Sequence, residues 1–146
     1  MSACTFFGHS RDFGLNVALL RNAIEKLILQ GTDTFYVGNQ GYYDARVLGC
    51  LKRLKKDHPH IRFSVVLAYL PTELPENDIY SEYSIFPEEL DTVHPKFAID
   101  RRNRWMIDRS DICLCWVDFT WGGAYKFAGT AKKKGLTVIN IGRAEL

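Results

Sequence analysis

The stretch "DICLCWVDFTWGGAYKFAGTAKKKGLTVINIG", Asp111 to Gly142, decides how this chain folds. "DICLCWVD" is a nearly continuous apolar run of strand length, and "LTVINIG" is a second one. Between them, "AYKFAGTAKKKG" reads as a helix, with a glycine past its end to stop it. Strands that alternate with helices form a parallel sheet with helices on both faces. Such a sheet is covered on both sides, so its strands are apolar throughout rather than alternating.

The same unit repeats upstream. "ACTFFG" (Ala3–Gly8), "DTFYVG" and "IRFSVVLAYL" read as strands. "LNVALLRNAIEKLILQ" (Leu15–Gln30) reads as a helix, with Val17, Leu20, Ile24, Leu27 and Ile28 along one side and Gly31 as its stop. "YYDARVLGCLKRLKKDHP" is a second helix, ending before Pro59, and "KFAIDRRNRWMIDRS" a third. The expected fold is therefore α/β, a three-layer sandwich over residues 1–146 with a mainly parallel sheet of about five strands. One irregular insert breaks the rhythm. Pro71 to Pro95 holds four of the five prolines, and it is either a lid or a decorated surface loop.

Composition narrows the class. The chain has 146 residues, 47% hydrophobic and 25% charged, which fits one ordinary globular domain. A net charge of +2 is too weak to mark a nucleic-acid footprint. No apolar run is long enough to span a membrane, and the N-terminal residues do not read as a signal peptide. Cys4, Cys50, Cys113 and Cys115 form neither a C-x-x-C pair nor a disulfide framework, and they read as reduced core thiols of a cytoplasmic protein.

In open parallel sheets, ligands bind beyond the carboxyl ends of the strands. Three strand-to-helix loops carry glycine there: "GHSRDFG", "GNQGYYD" and "DFTWGGAY". Glycine lets the backbone approach a ligand, and each following helix offers free N–H groups and a partial positive charge. Together the three loops point to a phosphate-bearing or nucleotide-like ligand. The candidate contacts are Gly8, His9, Ser10 and Arg11, then Gly38, Asn39, Gln40, Gly41 and Asp44, and finally Trp121, Gly122, Gly123 and Ala124. Arg11 suits bidentate phosphate contact or is a loop charge in solvent. His9 is a ligand contact or a capping group. Asn39 and Gln40 suit a base or ribose hydroxyls. Asp44, in the first turn of its helix, favours the helix dipole or binds a ribose. Tyr42 and Tyr43 are stacking candidates, one of them core; Trp121, in a loop, is the better platform.

Other charged residues divide similarly. Arg101 and Arg104 lie one turn apart on the third helix and reach a ligand, a partner subunit or only solvent. "AKKKG" (Ala131–Gly135) is the far end of its helix, where lysines complement the dipole, so it is left out of the site. His58, His60 and His94 lack ligand spacing, and no metal or cofactor is expected.

"CTFFGHSRDF", "FYVGNQGYYDARV", "VVLAYLP", "FAIDRRNRWMIDRSD" and "TWGGAYKFAGTAKKKG" followed by "TVIN" together resemble the YpsA-like branch of the SLOG superfamily, the Rossmann-like group that includes DprA and the Lonely Guy enzymes. The resemblance runs from Cys4 to Gly142. It implies a Rossmann-like sheet and a nucleotide-related ligand held by the glycine loops. Some members of the superfamily hydrolyse the N-glycosidic bond of nucleoside monophosphates, and others sense ADP-ribose-derived signals. This chain departs from the group twice. The Lonely Guy pattern P-G-G-x-G-T-x-x-E, set on Gly122 and Gly123, puts Trp121 at the proline, Tyr125 at the third glycine, Lys126 at the threonine and Gly129 at the glutamate. Related sequences also read G-H-R after the first strand, where this one reads Gly8-His9-Ser10 with Arg11 one place later.

The missing glutamate favours a binder of a nucleotide or ADP-ribose-derived molecule, acting as sensor or sequestering protein. The alternative is a nucleoside 5′-monophosphate N-glycosidase. It needs a carboxylate at the oxocarbenium-like centre. Asp12, Asp118 and Glu73 are available, and Asp44 is the best candidate. Trp105 and Met106 on a charged helix point to a homo-oligomer, and near-neutral charge makes a nucleic-acid partner an unfavoured third reading.

Overall fold

The structure is a computed structural model that describes residues 2–70 and 83–146. Its strands are β1 (Ser2–Gly8), β2 (Thr32–Val37), β3 (Arg62–Val66), β4 (Ser84–Ile85), β5 (Ile112–Trp116) and β6 (Thr137–Asn140), joined in one sheet with every pairing parallel. The helices among the described residues are α1 (Val17–Leu29), α2 (Tyr42–Asp57), α3 (Pro95–Asp108) and α4 (Gly123–Lys133).

The layers follow from the alternation of side chains along each strand. In β1, Cys4 and Phe6 enter one core, while Phe7 enters the other. In β5, Leu114 and Trp116 join the first, and Cys113 and Cys115 the second. The first core is closed by Leu20, Ile24 and Leu27 of α1 and Val47, Leu51 and Leu54 of α2. The second is closed by Met106 and Ile107 of α3 and Phe127, Ala128 and Ala131 of α4. Each large apolar side chain buried this way contributes about 1.5–3 kcal/mol. The result is the expected three-layer α/β sandwich of Rossmann-like form. All four cysteines are buried and unbridged.

Two details differ from the reading of the sequence. The sheet has a sixth strand, β4, inside the insert: Val65 pairs with Ser84 and Val66 with Ile85, and the Leu67 N–H donates to the Ile85 carbonyl at 2.9 Å. Two residues carry no periodicity, so no pattern announced it. Residues 71–82 of the insert, with Glu73, lie outside the described residues. Met106, expected toward a subunit contact, is 1% exposed and belongs to the chain's own core. Trp105 is half-buried, edge-on to Tyr36, with the Arg109 guanidinium 3.9 Å over its ring.

The strand order is β4-β3-β2-β1-β5-β6. From β1 the chain builds outward on one side, then crosses back to place β5 on the other. The crevice beyond the carboxyl ends of β1 and β5 is therefore the topological switch point, where sheets of this kind bind ligands. The end of β5 is held firmly. The Asn140 side chain accepts from the Val117 N–H at 2.9 Å and from Gly142 N–H at 2.8 Å. It also donates to the Val117 and Ala144 carbonyls at 3.0 and 2.8 Å.

Candidate functional site

Two chambers open at the switch point. The outer one, about 380 Å³, lies between the loop after β1 and the loop after β5. The first loop brings Gly8, His9, Ser10, Arg11 and Phe13; the second brings Phe119, Trp121, Gly122, Gly123 and Ala124. The inner one, about 170 Å³, shares Gly8, Gly123 and Ala124 with it and adds Gln40, Asp44, Arg102 and Asn103.

The helix N-termini are not equivalent. In α1, the Asn16 side chain accepts from the Leu19 N–H at 3.0 Å. In α3, His94 Nδ1 accepts from the Lys96 N–H at 3.1 Å, and Pro95 has no N–H to satisfy. In α2, the first two N–H groups are taken by the β1 loop: Tyr42 donates to the Ser10 carbonyl at 2.9 Å and Tyr43 to the His9 carbonyl at 3.2 Å. Helix α2 was expected to offer its N–H groups to a ligand, but the protein itself has filled that place. Helix α4 alone has no side-chain cap and no carbonyl against its first N–H groups among the described residues. Its Gly123 and Ala124 line both chambers. A side chain added at Gly122 or Gly123 would meet nothing within 4 Å. That open floor has a helix dipole behind it, a geometry of the kind that suits an anion.

Among the described residues, the outer lining carries one cation, Arg11, and no carboxylate. Its walls are aromatic. Trp121 is 69% exposed and lies parallel to Phe119, with centroids 4.9 Å apart and planes 10° apart. Phe13 meets Phe119 edge-on at 5.5 Å. His9 is packed among Phe13, Trp116 and Phe119. Its Nε2 accepts the Asp118 N–H at 2.9 Å. Burial holds its pKa below the ordinary imidazole value, against the pull of the Asp118 carboxylate.

The inner chamber is built on Gly38. A Cβ there would sit 2.9 Å from both the Arg102 guanidinium and the Asp44 carboxylate, so a side chain at this position would have to push the two groups aside. Arg102 is 2% exposed. It donates from Nε to Asn103 Oδ1 at 2.7 Å, and from Nη1 to the Val66 carbonyl at 2.9 Å and Asn39 Oδ1 at 3.4 Å. Asp44 accepts the Gln40 N–H at 2.9 Å. Burial pushes its carboxyl up to about 6, although Gln40 N–H and the Arg102 charge both favour the ionised form.

Most of the residues singled out from the sequence come together here: Gly8, His9, Ser10, Arg11, Trp121, Gly122, Gly123 and Ala124 around the outer chamber, and Gln40 and Asp44 around the inner one. Gly38 and Asn39 support Arg102 from behind. Gly41 packs on Ser10, where a Cβ would come within 2.6 Å of its Cα. Of the two tyrosines, Tyr43 is core, its hydroxyl donating to the Leu114 carbonyl at 2.8 Å. Arg101 lies on the solvent side of α3 and lines neither chamber, while its neighbour Arg102 does. The signal for Arg102 was present: it falls on the stripe Ala98, Arg102, Met106, which faces the core. Phe13 and Phe119 were also missed, because a loop aromatic carries no periodic pattern. Lys132 and Lys133 line a separate, larger and shallower depression of about 1000 Å³ outside α4, away from both glycine loops of the outer chamber except at Gly122.

No protein-family model matches the chain, and no curated protein matches it in sequence. What the fold and the switch-point crevice define is a class: a Rossmann-like α/β domain. Among the described residues, no helix is long and apolar enough to cross a membrane.

Proposed function

We propose that this protein binds a nucleotide or an ADP-ribose-derived small molecule in the two joined chambers, as a sensor or sequestering protein. The observation that carries the reading is the α4 N-terminus. Among the described residues, its N–H groups are unclaimed and face a lining that holds Arg11 and no carboxylate. Such a floor favours a phosphate or pyrophosphate. The Phe119–Trp121 shelf suits a planar ring, and Gln40, Asp44, Arg102 and Asn103 suit ribose hydroxyls. The likeness to the YpsA-like branch of the SLOG superfamily points the same way.

One observation favours the second reading, an N-glycosidase of nucleoside 5′-monophosphates. Asp44, pushed up to about 6, lines the same small chamber as the Arg102 cation. A carboxylate poised near neutrality is suited to acid–base work. Against it stands Gly129, half-way along α4, where the hydrolase pattern has its glutamate.

Calorimetry with AMP, NAD, ADP-ribose and adenosine, followed by chromatography, tests both. The expected outcome is binding of the phosphorylated compounds, recovered intact, with adenosine weaker by tenfold or more, on the order of 1.4 kcal/mol. Release of free base would replace the binder with the hydrolase. Equal binding of adenosine and AMP, or no binding of any, would overturn the phosphate cradle.

A further inference from the structure

His9 links three parts of the site. Its ring nitrogen Nε2 accepts the Asp118 N–H at the start of the β5 loop. Its carbonyl accepts the Tyr43 N–H of α2. Asp118 is tied onward, its Oδ1 accepting the Arg143 N–H at 2.9 Å. The β5 loop then carries Phe119 and Trp121 and ends at the α4 cradle. A ring nitrogen that accepts from a backbone N–H must hold a lone pair, so the neutral ring carries its proton on Nδ1. Protonation places a second N–H on Nε2, pointing at the Asp118 N–H. Two donors then face each other in a pocket where the ring is 9% exposed, and no acceptor lies between them.

From this geometry we infer that His9 is a positioning residue that works only as the neutral imidazole, a latch whose protonation releases the β5 loop and makes ligand binding acid-sensitive. The surroundings support the sign. Among the described residues, the charged side chains on the segments packed around the ring are Arg11 and Asp12 on its own loop, Asp44 at the start of α2 and Asp118 on the β5 loop. Tyr43 spends its hydroxyl on Leu114. Of these, Asp118 acts on the ring and favours the charged form, yet burial outweighs it and the pKa is lowered. A lowered folded-state value means that the latch is fully made above the ordinary histidine range and is lost as pH falls through the folded value.

The inference rests on the nucleotide reading for its ligand but not for its latch, and one experiment separates the two. ADP-ribose is the probe, because its pyrophosphate diester does not change charge between pH 8 and 5. Affinity is measured across that range while NMR follows the His9 ring nitrogens and the Asp118 amide in the ligand-free protein. Wild type is expected to hold a level affinity at the alkaline end, then to lose about tenfold per pH unit below the His9 midpoint, as one linked proton requires. The Asp118 amide moves with the same midpoint. His9→Gln keeps an acceptor that does not titrate, so its profile loses the His9 midpoint and keeps only the change that Asp44, whose carboxyl sits at about 6, brings to the inner chamber. Asp118→Asn keeps the bond to Arg143 and removes the charge, so the midpoint moves to lower pH. Identical pH profiles for wild type and His9→Gln, or a proton on Nε2 at pH 8, would overturn the latch. Should His9→Gln fail to fold, Asp118→Asn decides, and an unmoved midpoint overturns it. Absence of ADP-ribose binding at every pH would overturn the nucleotide reading instead. The latch would then stand or fall on whether the Asp118 amide follows the ring.

Discussion

Gly41 leads into α2 and Gly122 leads into α4 with almost the same backbone, φ 102° and ψ −170° at the first, φ 91° and ψ 177° at the second. Neither helix has a side-chain cap. What differs is the neighbour. The β1 loop runs against α2 and plugs its first N–H groups with the Ser10 and His9 carbonyls. Nothing described runs against α4, whose glycines face open space. One junction is therefore structural, a clamp between two loops, and the other is left open among the described residues, the place we propose for an anion. A glycine before a helix shows that backbones come close; it does not tell whether the approaching group is the protein's own carbonyl or a ligand.

Three substitutions test this contrast. Gly41→Ala forces a residue with a side chain into the left-handed region and drives its Cβ to 2.6 Å from Ser10 Cα. A loss of about 3 kcal/mol is expected, read as a fall in Tm of roughly 10 °C. A variant as stable as the parent would show that the clamp is not tight. Gly123→Glu, in contrast, meets open space and keeps the fold, but sets a carboxylate in the cradle. Its Tm should move little, while affinity for ADP-ribose falls by about a hundredfold, or roughly 2.7 kcal/mol. Unchanged affinity would place the anion elsewhere.

The third and smallest effect concerns Asp44, in the first turn of the clamped helix and on the wall of the inner chamber. Asp44 has a folded-state pKa raised to about 6 from 3.8, so its ionisation weakens the folded state. The stability it lends is complete below about pH 4 and lost as pH rises through about 6. Asp44→Asn retains an acceptor for the Gln40 N–H and removes the charge. It should gain about 1 kcal/mol at pH 8, and the gain should vanish near pH 4 in thermal melts. A loss of stability at pH 8 would mean that the Arg102 attraction outweighs burial. Turnover of AMP by the parent that disappears in this variant would instead establish the hydrolase.

The sequence was most readable where chemistry repeats along the chain. Phe6, Leu114, Ile24 and Leu51 fall on periods set by strand and helix geometry, so the layers and the parallel sheet could be expected. "TWGGAY" could also be placed, because a strand end and a helix start bracket it. The plugging of α2 could not, since it depends on where a loop thirty residues earlier comes to rest. Arg101 lies on the exposed side of α3, one of the alternatives its sequence left open, while Arg102, one helical position on, lines the inner chamber on the core stripe that includes Ala98 and Met106. β4 is two residues long and owes its place to β3 rather than to its own pattern.

Trp121 gives the molecule a further property. The chain has three tryptophans. Trp116 is 3% exposed, Trp105 lies half-buried beneath Arg109, and Trp121, at 69%, stands in water on the rim of the outer chamber. An indole in water emits further to the red than one in a core, so the rim residue occupies its own edge of the emission spectrum. A ring seated on the Phe119–Trp121 shelf would exclude water from it, and the emission would dim or shift to the blue. The protein thus carries an unlabelled optical gauge of whether its chamber is filled.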